Sequence, residues 1–418
     1  ERDCHPGRTV SSGQGEGINR MSRARLLWAG LPVLLLITAS LAFAAKEPPQ
    51  RVIDPQVYRA MQYALPYPAE PGVVNPGAAR TAGTQQLGVS GPSVSPGVAV
   101  GITWYDYQHN GSMGRMNETR TGTVTLAHFS WMYLPGPVID VARAAAYDNY
   151  NITNQAFGTE IVLQPNDHYA GYFNLDVTND NRAIIGGHNR EPSDGRYDPT
   201  FYFDFAEGAS FFGAAIQLPQ AISNYGGTPG QEVIWPKFAY AVGALDTVLH
   251  VIAQVAEPDA GDPQALYYFR RVGGDDNVTA SWDYPPRVLD TLFDVAQVVE
   301  ATDDGKVGLG WVANIPCAYS DPDTASCNAG VTPVQYNNDV YVQISNDYGV
   351  TWQPRMNLTH NINATGAHYQ PYTDMGLLFD TQGYLHVVWG AAYWDETGDI
   401  WLRNRIMHWS ENQPYVRT

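Results

Sequence analysis

Short stretches of this chain concentrate residue types that recognise and cut sugars. They are Tyr105, Asp106, Tyr107 and His109; His188, Asn189, Arg190 and Glu191; Glu257 and Asp259; Asn314; and Tyr393, Trp394, Asp395 and Glu396. Aromatic faces stack on the C–H-rich side of a pyranose, and charged groups hold its hydroxyls. On that chemistry Tyr105, His188, Arg190, Tyr393 and Trp394 are candidate ligand contacts. Two carboxylates about 5–10 Å apart run glycoside hydrolysis, so Asp106, Glu191, Glu257, Asp395 and Glu396 are candidate catalytic groups. The plainer reading is that all of these are solvated loop residues which follow buried strands. No Gly-x-Ser-x-Gly, His-Glu-x-x-His or phosphate-loop pattern occurs, so those chemistries lack their motifs.

The stretches share a setting, because each follows the second strand of a recurring unit. Tyr172–Val177 turns at Asn179-Asp180-Asn181 into Ala183–Gly187. Phe238–Val242 turns into Val248–Ala253, Phe293–Val299 into Val307–Val312, and Met375–Phe379 into Tyr384–Trp389. Val98–Trp104 is a fifth, earlier copy. A longer polar loop then leads to a third, aromatic-rich strand: Thr123–His128, Thr200–Asp204, Ala265–Phe269, Val340–Ile344 and Arg405–Trp409. No amphipathic helices alternate with these strands, which argues against a parallel α/β sheet. Repeated meanders of this kind predict an all-β fold, a β-propeller of four-stranded blades, with a β-sandwich as the alternative. The last copy reaches Thr418 before a convincing fourth strand. The chain therefore reads as a fragment, or as a ring closed by N-terminal strands.

After Val340–Ile344 comes Ser345-Asn346-Asp347-Tyr348-Gly349-Val350-Thr351-Trp352, an S-x-D-x-G-x-T-W pattern. It suits a tight hairpin: Asp347 accepts N–H groups of its own turn, and Gly349 tolerates a left-handed backbone. The pattern resembles the Asp-box (BNR) motif of the sialidase family and other β-propellers. Glu207–Phe211, Asp275-Asp276-Asn277 and Ser410-Glu411-Asn412 resemble worn copies. The resemblance implies about six blades, of which about five are visible here. It also implies a ligand funnel on the face opposite the Asp-box turns. Residue by residue it reaches only Ser345, Asp347, Gly349, Thr351 and Trp352. The family's Arg-Ile-Pro motif has no match. The expected function is thus a secreted propeller that binds a glycan or an extracellular protein, with a sialidase-type glycoside hydrolase as the alternative.

Glycine at 40, proline at 29 and aromatic residues at 12% of 418 residues fit a turn-rich β protein. A net charge of −18 disfavours nucleic acid and anionic membrane surfaces as partners. Arg23 and Arg25, the apolar run 26–37 and Ala42-Phe43-Ala44 form a signal-peptide pattern over 21–45, with an uncleaved anchor as the alternative. Residues 1–20 read as upstream of the start. Residues 46–96 read as a Pro/Gly-rich segment with a short helix from Asp54, and 97–418 as the propeller. Export to the extracellular space or periplasm is expected, as a monomer. In that setting Cys317 and Cys327 are expected to pair. No cofactor is implied, although Asp321 and Asp323 form an acidic loop of the type that takes Ca²⁺.

Overall fold

The computed structural model describes residues 98–105, 108, 113–137, 143–163, 170–190, 196–219, 232–243, 247–255, 264–274, 280–292, 295–314, 338–360, 368–394 and 404–417. The signal-like segment, the expected short helix, Cys317, Cys327, Asp321 and Asp323 lie outside them. All described residues belong to one compact unit, Val94–Thr418.

Every strand pairing is antiparallel, and the described strands form five sheets in chain order. The first holds β1 (Asn117–Thr121), β2 (Thr125–Tyr133), β3 (Ala144–Asn151) and two short outer strands, β4 (Ala156–Phe157) and β5 (Ile161–Leu163). The second is β6 (Gly171–Val177), β7 (Ala183–Arg190), β8 (Tyr197–Phe203) and β9 (Ile216–Gln217). The third is β10 (Val233–Val242), β11 (Thr247–Val255) and β12 (Gln264–Val272), with β13 (Ser281–Trp282) and β14 (Arg287–Leu292) both on β12. The fourth is β15 (Gln297–Ala301), β16 (Val307–Asn314), β17 (Asn338–Ser345) and β18 (Met356–Asn357). The fifth is β19 (His368–Phe379), β20 (Leu385–Trp394), β21 (Asn404–Ser410) and β22 (Gln413–Arg417).

Four apolar layers join successive sheets. Met132 and Tyr147 meet Phe173 and Ile185; Phe201 and Phe203 meet Phe238 and Leu249; Ile252 and Tyr268 meet Leu309 and Trp311; Val340 and Val342 meet Val387 and Trp389. Inner strands such as β7, β11 and β17 are buried on both faces and read as near-continuous apolar runs, whereas β2 and β20 alternate buried with more exposed positions. First strands contact in series, β1 with β6, β6 with β10, β10 with β15 and β15 with β19. Arg115 beside β1 also reaches Glu300 on β15, so the first strands surround a shared axis. This is the blade packing of a β-propeller.

Three sequence expectations shift. Thr123–His128 was expected as a third strand, but Thr125–His128 opens β2, the second strand. The first strand is Asn117–Thr121, whose polar residues alternate exposed and half-buried and carry no apolar signal. Val98–Trp104 forms no strand; it lies along β2, with Trp104 N–H donating to Leu134 O at 3.1 Å. The final sheet does have its fourth strand. A two-residue turn at 411–412 feeds β22, which was illegible because Gln413-Pro414 reads as a loop.

The turns repeat as the strands do. Thr178, Thr302 and Asp380 N–H groups donate to Arg182, Lys306 and Tyr384 carbonyls at 2.9, 2.9 and 3.0 Å. Asn181, Gly305 and Gly383 take the left-handed position of those turns.

Candidate functional site

The two ends of the axis differ in chemistry. At the end carrying the first-to-second strand turns, charged groups tie four sheets together. Asp176 Oδ2 accepts Tyr240 N–H at 2.7 Å, and its Oδ1 lies 3.6 Å from Arg115. Arg115 also bonds Glu118 and, at 2.6 Å, Glu300. One turn further out, Asp303 accepts Val242 N–H and Asn179 Nδ2, each at 3.0 Å, and Arg120 bonds Asn179. Burial pushes the Asp176 carboxyl up to about 7 against the pull of Arg115, and pushes Glu300 up as well.

The S-x-D-x-G-x-T-W stretch lies at this same end. It is the hairpin between β17 and β18, with Tyr348 at its tip. Ser345 Oγ accepts Gly349 N–H at 2.9 Å; Asp347 accepts Thr351 N–H at 2.8 Å and Thr351 Oγ1–H at 2.6 Å. Trp352 wedges toward the third sheet, edge-on to Tyr268 at 5.0 Å. In the second sheet the matching turn keeps its shape-setting glycine, Gly208, but its carboxylate sits two places earlier. Asp204 stands where Ser345 does and accepts Ser210 and Phe211 N–H at 3.1 and 3.0 Å.

At the opposite end, three first strands bulge. The register slips between Gly171 and Asn174, between Ile234 and Lys237, and between Pro371 and Met375. Bulges re-aim side chains and concentrate beside active sites. Two of them force an aromatic residue into the left-handed region, Tyr172 at φ 55° and Trp235 at φ 51°. Their rings meet edge to face with centroids 6.2 Å apart. Both are half-buried.

Side chains from neighbouring strands hold this backbone. Trp235 N–H donates to His188 Nδ1 at 3.2 Å, and Trp235 O accepts Gln297 Nε2 at 3.1 Å. Asn174 Nδ2 bridges Tyr172 O at 3.1 Å and Pro236 O at 2.6 Å. His188 is itself packed between Tyr172 and Tyr197, at 5.4 and 5.2 Å. Burial, with Arg143 nearby, lowers His188 to about 3, so it stays neutral and able to accept. Arg143 lies over the Tyr105 ring at 5.8 Å. Burial and the adjacent Tyr172 push the Tyr105 hydroxyl up to about 12. Lys237, two residues after Trp235, is buried, and that burial lowers it to about 8.

The structure therefore brings together two sequence candidates, Tyr105 and His188, but His188 is a buried support at 4% exposure and not an open contact. Asn189 is buried too, donating to the Tyr202 hydroxyl at 2.7 Å. Arg190 ends β7, paired in register with Tyr197. Tyr393 belongs to a second aromatic group, 5.1 Å from Tyr369, and Arg405 lies over the Tyr369 ring at 4.3 Å. Trp394 ends β20, paired with His368. Asp106, Tyr107, His109, Glu191, Glu257, Asp259, Asp395 and Glu396 lie outside the described residues. Among the described residues no group of three or more His, Cys, Asp or Glu side chains is placed to hold a metal.

Sequence reasoning missed Tyr172 and Trp235 as site residues. The available signal was Trp235-Pro236 at the head of an apolar run, since proline inside a strand marks a bulge or an edge. His250 and His386, both on second strands, have different partners. His250 matches His128: each puts Nδ1 2.7 Å from the hydroxyl of a tyrosine one strand out, Tyr268 and Tyr147. His386 instead meets His408 at 2.9 Å.

No protein-family model matches the chain, and no curated protein matches its sequence. Solved structures similar to it include polysaccharide lyase Uly1, at 11% identity and TM-score 0.43, covering 73% of this chain and 72% of that one. The endo-arabinase from Bacteroides thetaiotaomicron VPI-5482 shows 10% identity and TM-score 0.35, over 72% and 96%. Trypanosoma rangeli sialidase in complex with the inhibitor DANA shows 12% identity and TM-score 0.39, over 73% of this chain and 48% of that one.

Proposed function

We propose that this chain is an exported, sialidase-like β-propeller of the Asp-box type that binds a glycan at the axial mouth opposite its Asp-box turn. The observation that carries this reading is the Tyr172–Trp235 pair, two half-buried aromatic rings on strained backbone, side by side at the heads of adjacent first strands. Strain of this kind persists at ligand clamps, where the surrounding structure over-determines it. Indole and phenol faces suit the apolar face of a sugar ring, and Tyr105 and Arg143 beside them add hydrogen-bond donors. The charged junction at the other end of the axis makes the bulged end the side of approach. A count of six blades needs one more sheet from residues outside the described set.

The test uses the full chain on an immobilised panel of 3′-sialyllactose and cello-, xylo-, arabino- and galacto-oligosaccharides. Capture of at least one sugar is expected. Trp235→Ala and Tyr172→Ala should each weaken it about tenfold or more, the scale of an aromatic anchor. Capture undiminished by both changes removes this surface from the reading, and capture of no panel member counts against glycan binding. Fluorogenic forms of the same sugars separate binding from hydrolysis: turnover abolished by Glu191→Gln, Glu257→Gln or Glu396→Gln establishes an enzyme.

A further inference from the structure

The bulge in β10 takes both backbone polar groups of Trp235 out of the strand ladder. A buried backbone N–H or C=O needs a partner, and here the partners are side chains from two other sheets. His188 on β7 receives the N–H, and Gln297 on β15 donates to the C=O. Asn174 on β6 then ties the next carbonyl, Pro236 O, to Tyr172 O in the neighbouring bulge. All three supports are deeply buried, at 4, 0 and 2% exposure. Because Trp235 N–H points at Nδ1, the imidazole proton is on Nε2, and that tautomer is required for the contact.

We propose that His188, Gln297 and Asn174 are positioning residues that hold Trp235 and Tyr172 in one preformed, ligand-ready arrangement. The proposal rests on the glycan-binding reading of this mouth. It makes the site preorganised: the strained backbone is locked before the sugar arrives, so little ordering is lost on binding. It also makes the two rings a unit, since Asn174 couples their backbones directly.

The experiment has two readouts on the full chain. One is affinity for whichever panel oligosaccharide binds most strongly. The other is the ¹⁹F resonance of Trp235 in 5-fluorotryptophan-labelled protein, assigned with Trp235→Phe. His188→Ala should move or broaden that resonance and weaken binding by about tenfold or more. His188→Asn, which restores an acceptor near Nδ1, should recover most of both. Gln297→Leu keeps the volume, removes the donor and should behave like His188→Ala, so the test survives if His188→Ala fails to fold. Wild-type resonance and affinity in both His188→Ala and Gln297→Leu overturn the proposal while leaving the binding reading intact. If Trp235→Ala and Tyr172→Ala both leave affinity unchanged, the reading of this surface as the binding site fails instead. The resonance still decides whether these side chains position the ring.

Discussion

An L-residue in the left-handed region costs about 1–2 kcal/mol relative to glycine. Here the cost falls on bulky residues: Tyr172, Trp235 and Tyr348 all have φ near 50–55°. Tyr348 is accounted for by its turn, where its hydroxyl donates to Asp303 O at 2.8 Å and the following Gly349 continues the left-handed path at φ 77°. That glycine is required twice over, because a Cβ there would also overlap the Tyr268 hydroxyl. Gly349→Ala should destabilise the chain by roughly 2–4 kcal/mol. A chemical denaturation midpoint indistinguishable from wild type would contradict this. Tyr172 and Trp235 have no such turn to serve. Their strain is held by His188, Gln297 and Asn174, which points to their rings as the reason for it.

At the scale of the hairpin, one structural task is solved with two placements of the carboxylate. Asp347 caps its turn from inside the loop; burial pushes its carboxyl up, but the bonds from Thr351, Ser345 and the Val350 N–H together hold it below its ordinary value. Asp204 caps from the strand end, where burial pushes its carboxyl up against the hydrogen bonds it receives. Glu207, at the position of Tyr348, reaches out of its own turn. It bonds Thr123 and Asn181 across to the first two sheets' turns, and those bonds hold it down at about 2. Asp204→Ala should orphan the Ser210 and Phe211 N–H groups at a cost of about 1–3 kcal/mol. Hydrogen exchange at those two amides should accelerate ahead of exchange in β8; unchanged protection there would refute the capping role. The carboxylate at Asp347 was legible because its spacing to Gly349 and Trp352 forms a known pattern. Asp204 was not, because only the folded turn shows which oxygen reaches which N–H.

For the molecule as a whole, the axial junction sets a pH dependence that runs opposite to ordinary acid denaturation. Asp176 and Glu300 titrate higher in the folded chain than in an unfolded one, chiefly through burial. Between about pH 4 and 7 the folded state keeps protons that the unfolded state has lost, so these groups lower stability as pH rises through that window. Buried His128, His188 and His250, all lowered, act the other way: the unfolded state gains protons as pH falls below their ordinary value, and stability falls with it. Comparing Asp176→Asn with wild type isolates the carboxyl from the histidines. The variant should gain stability relative to wild type as pH rises from about 4 to 7.5, by at most a few kcal/mol. A difference that stays constant across that range would show that Asp176 does not titrate in it. Arg115, Glu118, Glu300 and the Tyr240 N–H surround this carboxyl, and the slope that remains in the variant combines Glu300 with the histidines.

Sequence alone determined the β class, the repeating unit and the turn chemistry, because those depend on neighbours along the chain. A strand buried on both faces must be an apolar run, and a tight turn must carry glycine, asparagine or aspartate at fixed offsets. It did not disclose β1, whose polar residues hide its period, or β22, whose proline mimics a loop. Only the tertiary structure decided which side chains meet at the bulged end of the axis. Tyr172 and Trp235 become partners because two bulges slip their strands out of register. The side chains that stabilise those bulges come from other sheets, and no local pattern encodes that meeting.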